Sequence, residues 1–156
     1  MIIFATKHGA TEEIASRIAA QIQSAAMFNV NSKDALPFDD FDCVILGSPV
    51  YAGCIKAELK AFIKKHEKTL LGKRLGLFIS GLDKSNTEKT FKENFSMAIL
   101  KHAVSTAFLG GIFDPQKVGG LGRFIMRVAK HKEFTDTIDD EEIKRFAKVF
   151  RCGDSG

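Results

Sequence analysis

Short apolar segments alternate with amphipathic segments along most of the chain. Five apolar segments predict strands, at Met1–Ala5, Ala26–Val30, Cys43–Gly47, Leu75–Ile79 and Ser105–Leu109. Apolar runs of this length are typical of parallel strands that are buried on both faces of a sheet. The second segment gives the weakest strand signal and the third gives a strong one.

Between these runs, apolar residues recur at helical spacing. Four predicted helices are marked by Ile14, Ile18 and Ile22; by Ile55, Leu59, Phe62 and Ile63; by Phe91, Phe95, Ala98 and Ile99; and by Ile143, Phe146, Ala147 and Phe150. Strands that alternate with helices are joined by right-handed crossovers, which gives a parallel sheet with helices on both faces. The pattern therefore predicts an α/β domain with a five-stranded parallel sheet.

One connection is unusually long for this architecture, since it runs from about Gly110 to Asp139. It contains a helical candidate with an apolar side (Leu121, Phe124, Ile125 and Val128) and a basic side (Arg123, Arg127 and Lys130). We predict a single domain over residues 1–156 with an insertion at about 110–139. A basic amphipathic helix suits an anionic membrane face as well as a solvated surface.

Composition narrows the class of protein. The 156 residues are 45% hydrophobic and 27% charged, as in ordinary globular domains, and the net charge of +4 favours anionic partners. Three cysteines (Cys43, Cys54 and Cys152) match no metal or redox spacing, so we expect free thiols in a reducing cytosol. No leader segment and no apolar run of about 20 residues is visible, which predicts a cytoplasmic location without a membrane span.

The segment after the first predicted strand opens the first predicted helix. It reads Thr6, Lys7, His8, Gly9, Ala10 and Thr11. Ligands of open α/β sheets bind beyond the carboxyl ends of the strands, where the strand order reverses. Such a turn offers backbone N–H groups and the positive end of a helix to an anion, while Gly9 allows close approach and the two threonines add hydroxyl donors. The segment predicts a phosphate cradle, although an ordinary strand-to-helix turn has the same pattern.

Three other phosphate-related motifs are absent from this segment. It has neither the glycine spacing of a dinucleotide fingerprint nor the Gly-Lys-Ser/Thr end of a P-loop. A phosphoacceptor site would need acidic residues at the ends of the first and third strands, but those ends read Ala5-Thr6 and Gly47-Ser48.

Two further strand ends carry candidate binding residues. The third strand ends in a predicted tight loop that starts at Gly47 and continues through Ser48, Pro49, Val50, Tyr51, Ala52 and Gly53, and the fourth is followed by Ser80, Gly81 and Leu82. Tyr51 is the only tyrosine of the chain and is suited to stacking on a planar ring, although a loop tyrosine can also pack on its own domain. Backbone groups of the same loop can hydrogen-bond the edge of a heteroaromatic ligand.

These three segments resemble those of the flavodoxin family. The family's phosphate loop is roughly [ST]-x-T-G-x-T, and Thr6–Thr11 falls on it with His8 where the family usually has Thr. The loop after the third strand looks like the family's flavin-flanking loop, and Ser80-Gly81-Leu82 falls where its third loop starts. The resemblance implies a flavodoxin-like three-layer sandwich of strand order 2-1-3-4-5, and bound FMN as the cofactor.

Within the family, the chain looks most like the menaquinone-dependent protoporphyrinogen IX dehydrogenases. Residues 119–128 (GGLGRFIMRV) resemble that branch's basic insertion, and the likeness continues through Thr135-Asp136-Thr137 and the helix at 142–147. The resemblance implies an FMN-dependent oxidoreductase with a quinone and a porphyrinogen as partners, and peripheral contact of residues 117–132 with the inner face of the membrane. It implies no nucleic-acid partner.

Two alternatives to this enzyme stay open at this point. A flavodoxin can be an electron carrier that docks to partner proteins, but such carriers are typically acidic, whereas this chain has an isoelectric point near 9.0. A cofactor-free interaction module is the second alternative, supported only by His8. No catalytic triad, carboxylate pair or metal-ligand spacing is visible, so in an enzyme of this sequence the flavin would carry the chemistry.

Overall fold

A computed structural model describes residues 1–32, 35–117 and 133–151 of the chain. Its strands are β1 (Ile2–Phe4), β2 (Met27–Asn29), β3 (Cys43–Tyr51), β4 (Cys54–Ile55), β5 (Arg74–Ser80), β6 (Ser105–Phe108), β7 (Ile112–Phe113) and β8 (Thr135–Asp136). Its helices are α1 (Ala10–Gln21), α2 (Ala57–Leu70), α3 (Thr87–Asn94), α4 (Met97–His102) and α5 (Asp140–Lys148), with a 3-10 turn at Phe38–Asp40.

Five strands form one parallel sheet in the order β2-β1-β3-β5-β6. Counted along these parallel strands alone, this is the predicted order 2-1-3-4-5. The short strand β4 folds back antiparallel on the end of β3. The flavodoxin-like three-layer sandwich expected from the sequence is therefore confirmed.

Alternate residues of each buried strand divide the core into two layers. Along β1, Ile2 and Phe4 face α1 and α5, whereas Ile3 belongs to the cluster that includes residues of α2, α3 and α4. Successive strand residues point to opposite faces of a sheet, so a strand covered by helices on both sides is apolar at every position. This requirement explains why the strand segments read as uninterrupted apolar runs.

The single third helix predicted from Phe91 to Ile99 is wrong, because the structure has two helices there. The chain leaves helical geometry at Phe95, and Ser96 starts α4 with its Oγ accepting the Ile99 N–H at 3.3 Å. A serine hydroxyl that takes a free N–H of the first turn favours a new helix start. The apolar periodicity continues across the break because Phe95 and Ile99 both stay in the core.

The predicted insertion begins and ends in a small antiparallel pair, β7 with β8. Gly110 precedes it with φ of 79°, and a Cβ there would lie 1.8 Å from the Thr137 carbonyl oxygen, so only glycine fits this crossing. The described residues do not include the helical candidate of the insertion. They also do not include Cys152 and His131. In the described ranges, no helix has the length and apolar character needed to cross a membrane.

The centre of the sheet predicts a sharp sensitivity at Gly47. A Cβ at this position would lie 2.0 Å from Cζ of Phe78, whose side chain is fully buried. We expect Gly47→Ala to lower the free energy of unfolding by about 1–3 kcal/mol or more through overpacking. The matched control is Gly72→Ala, where the nearest atom is 3.4 Å away and a change within about 0.5 kcal/mol is expected. Equal urea midpoints for the two variants would contradict this account of the packing.

Candidate functional site

The three segments singled out in the sequence meet at the carboxyl edge of the parallel sheet. Pro49 at the end of β3 lies in register with Ser80 at the end of β5. The Ser80 hydroxyl lies 2.8 Å from the hydroxyl of Thr11, in the first turn of α1. One surface is therefore built from the loop after β1, the end of β3 and the end of β5.

The loop after β1 leaves the start of α1 open to an anion. Gly9 is the N-terminal cap of α1 with φ of 90°, and its N–H is donated to Oγ1 of Thr6 at 3.1 Å. Since glycine has no side-chain acceptor, the first-turn N–H groups of Ala10, Thr11 and Glu12 have no hydrogen-bond partner among the described residues. No atom lies within 4 Å of a Cβ built on Gly9. Unpaired amides, the helix dipole and open space together suit a phosphate group.

The two threonines of this loop have different surroundings. Thr6 is half-buried and accepts the Gly9 N–H, which leaves its hydroxyl hydrogen free for another acceptor. Thr11 is 1% exposed, and its hydroxyl is bonded to Ser80 inside the protein. The Thr11–Ser80 pair thus joins the helix start to the sheet, and both hydroxyls are buried.

The predicted tight loop over residues 48–53 is a strand extension that ends in a β-hairpin. The strand β3 continues through Tyr51, and only Ala52 and Gly53 form the turn, with φ of 48° and 77°. Both central residues of a two-residue type I′ hairpin turn require positive φ, which glycine adopts freely and alanine adopts with strain. Gly47 and Pro49 favoured a loop in the sequence. The strand continues instead, because β3 pairs with the buried end of β5 as far as Pro49, which lies opposite Ser80.

The side chain of Ser48 is structural in this hairpin. It is fully buried, and its hydroxyl is donated to the Pro49 carbonyl at 2.9 Å while it accepts the Lys56 N–H at 3.0 Å. The bond to Lys56 ties the hairpin to the start of α2. Pro49 is buried and Val50 is half-buried, so the outer end of the hairpin presents mainly Tyr51 and the turn.

Tyr51 presents the aromatic surface of this site. Its side chain is 37% exposed, and the ammonium of Lys7 lies 5.9 Å from the centre of its ring, within cation–π range. Partial burial raises the pKa of the Tyr51 phenol, so the ring stays uncharged at neutral pH. The contact also links the loop after β1 with the hairpin.

His8 is half-buried and is close enough to two lysines to be affected by their charges. Burial is the main cause that lowers the pKa of its imidazole, followed by the positive charges of Lys7 and Lys56. The ring is therefore neutral at pH 7 and retains one N–H donor. Lys56 forms an ion pair with Glu58 at 3.4 Å, so part of its charge is balanced.

The end of β5 is held against the start of the insertion. The Gly81 N–H is donated to the Gly110 carbonyl at 3.0 Å, and Leu82 next to it is half-buried. A Cβ on Gly81 would lie 3.5 Å from the Phe108 ring, an ordinary contact. This third segment therefore borders the site as fixed backbone.

Comparison with known proteins decides the family. The model of the family described as "Flavodoxin domain" matches residues 1–139. The chain belongs to the flavodoxin domain family.

Two solved structures show the same fold. The flavodoxin-family chain is similar to a short-chain flavodoxin associated with a non-canonical PDU bacterial microcompartment, with a TM-score of 0.60 and 20% identity, over 96% of this chain and 93% of that one. It is also similar to a flavoprotein in complex with FMN from Lactobacillus acidophilus NCFM, with a TM-score of 0.52 and 14% identity, over 69% and 90% of the two chains.

A curated relative is similar over a shorter stretch. Protoporphyrinogen IX dehydrogenase [quinone] of Escherichia coli K12 is 30% identical over 74 residues, which are 45% of this flavodoxin-family chain. The match spans 41% of that relative's length.

Sequence reasoning missed Asn94, the last residue of α3. Its Oδ1 accepts the Ile55 N–H at 3.0 Å, and its Nδ2 is donated to the carbonyls of Gly53 at 2.7 Å and Thr90 at 2.8 Å. The residue thus clamps the hairpin of this flavodoxin-family protein from the turn to β4. Its position three residues after the buried Phe91, on the inward face of α3, is the one sequence signal that could have found it.

Two histidines and one cysteine of the described residues have other surroundings. His66 packs against the rings of Phe38 and Phe62, and His102 Nε2 lies 2.7 Å from the Lys73 carbonyl. Cys54 is exposed opposite Tyr51 in the hairpin. Within the described ranges, no group of three His, Cys, Asp or Glu side chains is arranged to hold a metal ion.

The Asn94 clamp makes a local prediction for hydrogen exchange. We expect Asn94→Ala to speed exchange of the Ile55 amide by about tenfold or more, because that N–H loses its acceptor. Asn94→Asp keeps one acceptor oxygen but places the other beside the Gly53 and Thr90 carbonyls, so the Ile55 amide should lose part of its protection. The measurement is native-state amide exchange by NMR. Equal protection of Ile55 in wild type and Asn94→Ala would show that the clamp does not hold the hairpin.

Proposed function

We propose that this flavodoxin-family protein binds one FMN non-covalently and is an oxidoreductase of the protoporphyrinogen dehydrogenase type. The observation that carries the proposal is the meeting of an open helix start and an exposed aromatic ring at one sheet edge. The first suits a phosphate and the second suits a planar ring. FMN has both groups in one molecule.

The three segments would divide the cofactor between them. The loop Thr6–Thr11 would take the phosphate through backbone N–H groups, with Lys7 and His8 at its side. The hairpin would place Tyr51 against the flavin, and the backbone after Ser80 would face its edge. Support comes from family membership and from the structural neighbour in complex with FMN. When bound, FMN supplies reversible two-electron chemistry, which no residue pair of the described site offers.

The proposal that a porphyrinogen and a quinone are the partners rests on different observations. The curated relative that matches 74 residues of this chain carries both in its name. Lys7 and Lys56 add positive charge beside the proposed flavin, and the net charge is +4. A substrate with propionate groups suits such a site electrostatically. We further propose a cytoplasmic protein whose residues 117–132 contact the inner face of the membrane, where a quinone resides.

An electron carrier is the second candidate. The similar short-chain flavodoxin covers nearly the whole chain, so nothing in the overall fold distinguishes a carrier from an enzyme. A carrier would exchange electrons with a partner protein in a salt-dependent manner. Activity on a small substrate separates the two functions.

The first test is the visible absorption spectrum of the purified protein with added FMN. We expect flavin bands to stay with the protein through gel filtration. We expect Tyr51→Ala to weaken FMN binding about tenfold through lost stacking, with Tyr51→Phe near wild type. Phe134→Ala is the control, since Phe134 is 63% exposed and belongs to none of the three segments.

Three results divide the candidate functions. Failure to retain FMN would leave the three segments as structural elements and remove both redox functions. Retained FMN with porphyrin formation from protoporphyrinogen IX and a menaquinone analogue would support the enzyme. Retained FMN without porphyrin formation, together with salt-dependent reduction by a flavodoxin reductase, would support the carrier.

Membrane contact of the insertion has a separate test. We expect the protein to co-sediment with vesicles that contain about 30% anionic lipid, because a basic amphipathic segment binds such surfaces. Arg123→Glu with Arg127→Glu should reduce co-sedimentation several-fold. Lys64→Glu with Lys68→Glu on α2 makes the same change in net charge outside the insertion and should have a smaller effect. Equal losses for the two double variants would mean that overall charge, rather than the insertion, attracts the protein.

A further inference from the structure

Positive charge is concentrated next to the exposed tyrosine ring. Lys7 places its ammonium 5.9 Å from the centre of the Tyr51 ring, and Lys7 and Lys56 are both close enough to act on the His8 imidazole. Lys7 and His8 belong to the loop after β1, and Lys56 directly precedes α2. The Lys7 charge therefore lies beside the part of the site proposed to hold the flavin ring.

The carboxylates near this group leave Lys7 unbalanced. Glu58 pairs with Lys56 at 3.4 Å, Glu13 pairs with Arg17 at 2.8 Å, and Asp83 accepts the Ser85 N–H. Within the described residues, no carboxylate lies at ion-pair distance from Lys7. A ring that stacks on Tyr51 would thus lie close to a lysine that has no carboxylate partner among the described residues.

Reduction changes the charge of a flavin in a known direction. Oxidised flavin gains two electrons and one proton near neutral pH, so the reduced ring carries one more negative charge. A nearby cation stabilises that charge by Coulomb attraction, more strongly where water is partly excluded. A neutral or acidic neighbour lacks this effect.

We propose that Lys7 is a positioning residue that sets the reduction potential of bound FMN, by stabilising reduced FMN relative to oxidised FMN. The inference rests on the proposed FMN binding and deepens it. A raised potential makes the cofactor a better acceptor of electrons from an organic substrate and a poorer low-potential donor. A raised reduction potential thus favours electron transfer from a substrate to FMN, as in an enzyme, over electron donation to a partner protein, as in a carrier.

The test compares the affinity of each variant for the two redox states of FMN. Dissociation constants are measured for oxidised FMN and, anaerobically, for dithionite-reduced FMN. We expect Lys7→Gln to weaken binding of reduced FMN roughly tenfold more than binding of oxidised FMN, the order expected for one partly screened charge. For a two-electron couple this ratio corresponds to a fall of about 30 mV in the potential of bound FMN. Lys7→Arg should keep the wild-type ratio.

The controls separate this inference from the proposed function. Lys68→Gln removes an exposed lysine of α2 and should leave the ratio unchanged. Equal weakening of both redox states by Lys7→Gln would make Lys7 a phosphate contact only and overturn the inference. If Lys7→Gln does not fold, Lys7→Met gives the same comparison with an apolar chain of similar length. Wild-type protein that binds FMN in neither state would instead overturn the proposed FMN binding.

Discussion

Pairing of the central strand β3 with both of its neighbours is the constraint on which the site depends. Over its first residues β3 lies between β1 and β5, and it stays in register with β5 from Cys43 to Pro49. Burial on both faces fixes this register, because a shift of one residue would exchange the two helix-facing sets of side chains. The ends of β1, β3 and β5 are thereby brought to one edge, where the three candidate segments follow them.

Hydrogen bonds to buried side chains then hold these segments in place. The Ser48 hydroxyl fixes the hairpin to α2, the Asn94 amide fixes its turn to α3, and the Thr11–Ser80 pair fixes α1 to the sheet. Among the described residues, no buried side-chain nitrogen or oxygen lacks a partner. A buried polar group without a partner destabilises a fold, so these bonds favour one arrangement of the loops.

The frame and the exposed chemistry of the site are thus built from different residues. The hydroxyl groups that hold the loops are buried and the Asn94 amide is partly buried, whereas Lys7 and Tyr51 are exposed. A fixed backbone with a few exposed groups needs little rearrangement to bind a ligand. The positive charge among those exposed groups distinguishes this site from one built only of hydroxyls and amides.

The sequence by itself determined the α/β class, the strand order and the three segments at the strand ends. Uninterrupted apolar runs and helical spacing are local patterns that, with the rules for parallel crossovers, give a parallel sheet covered on both faces. The strand order came from the resemblance of the three segments to the flavodoxin family. Only the tertiary structure decided that Ser48 to Tyr51 continue a strand and that the third helix breaks at Phe95. The first depends on pairing with a strand distant in the chain, and the second on a serine cap that interrupts helical geometry while the apolar periodicity of the sequence continues. The Asn94 hydrogen bonds to the hairpin and the contact of Lys7 with Tyr51 also required the tertiary structure, because their partners lie about 40 residues away in the sequence.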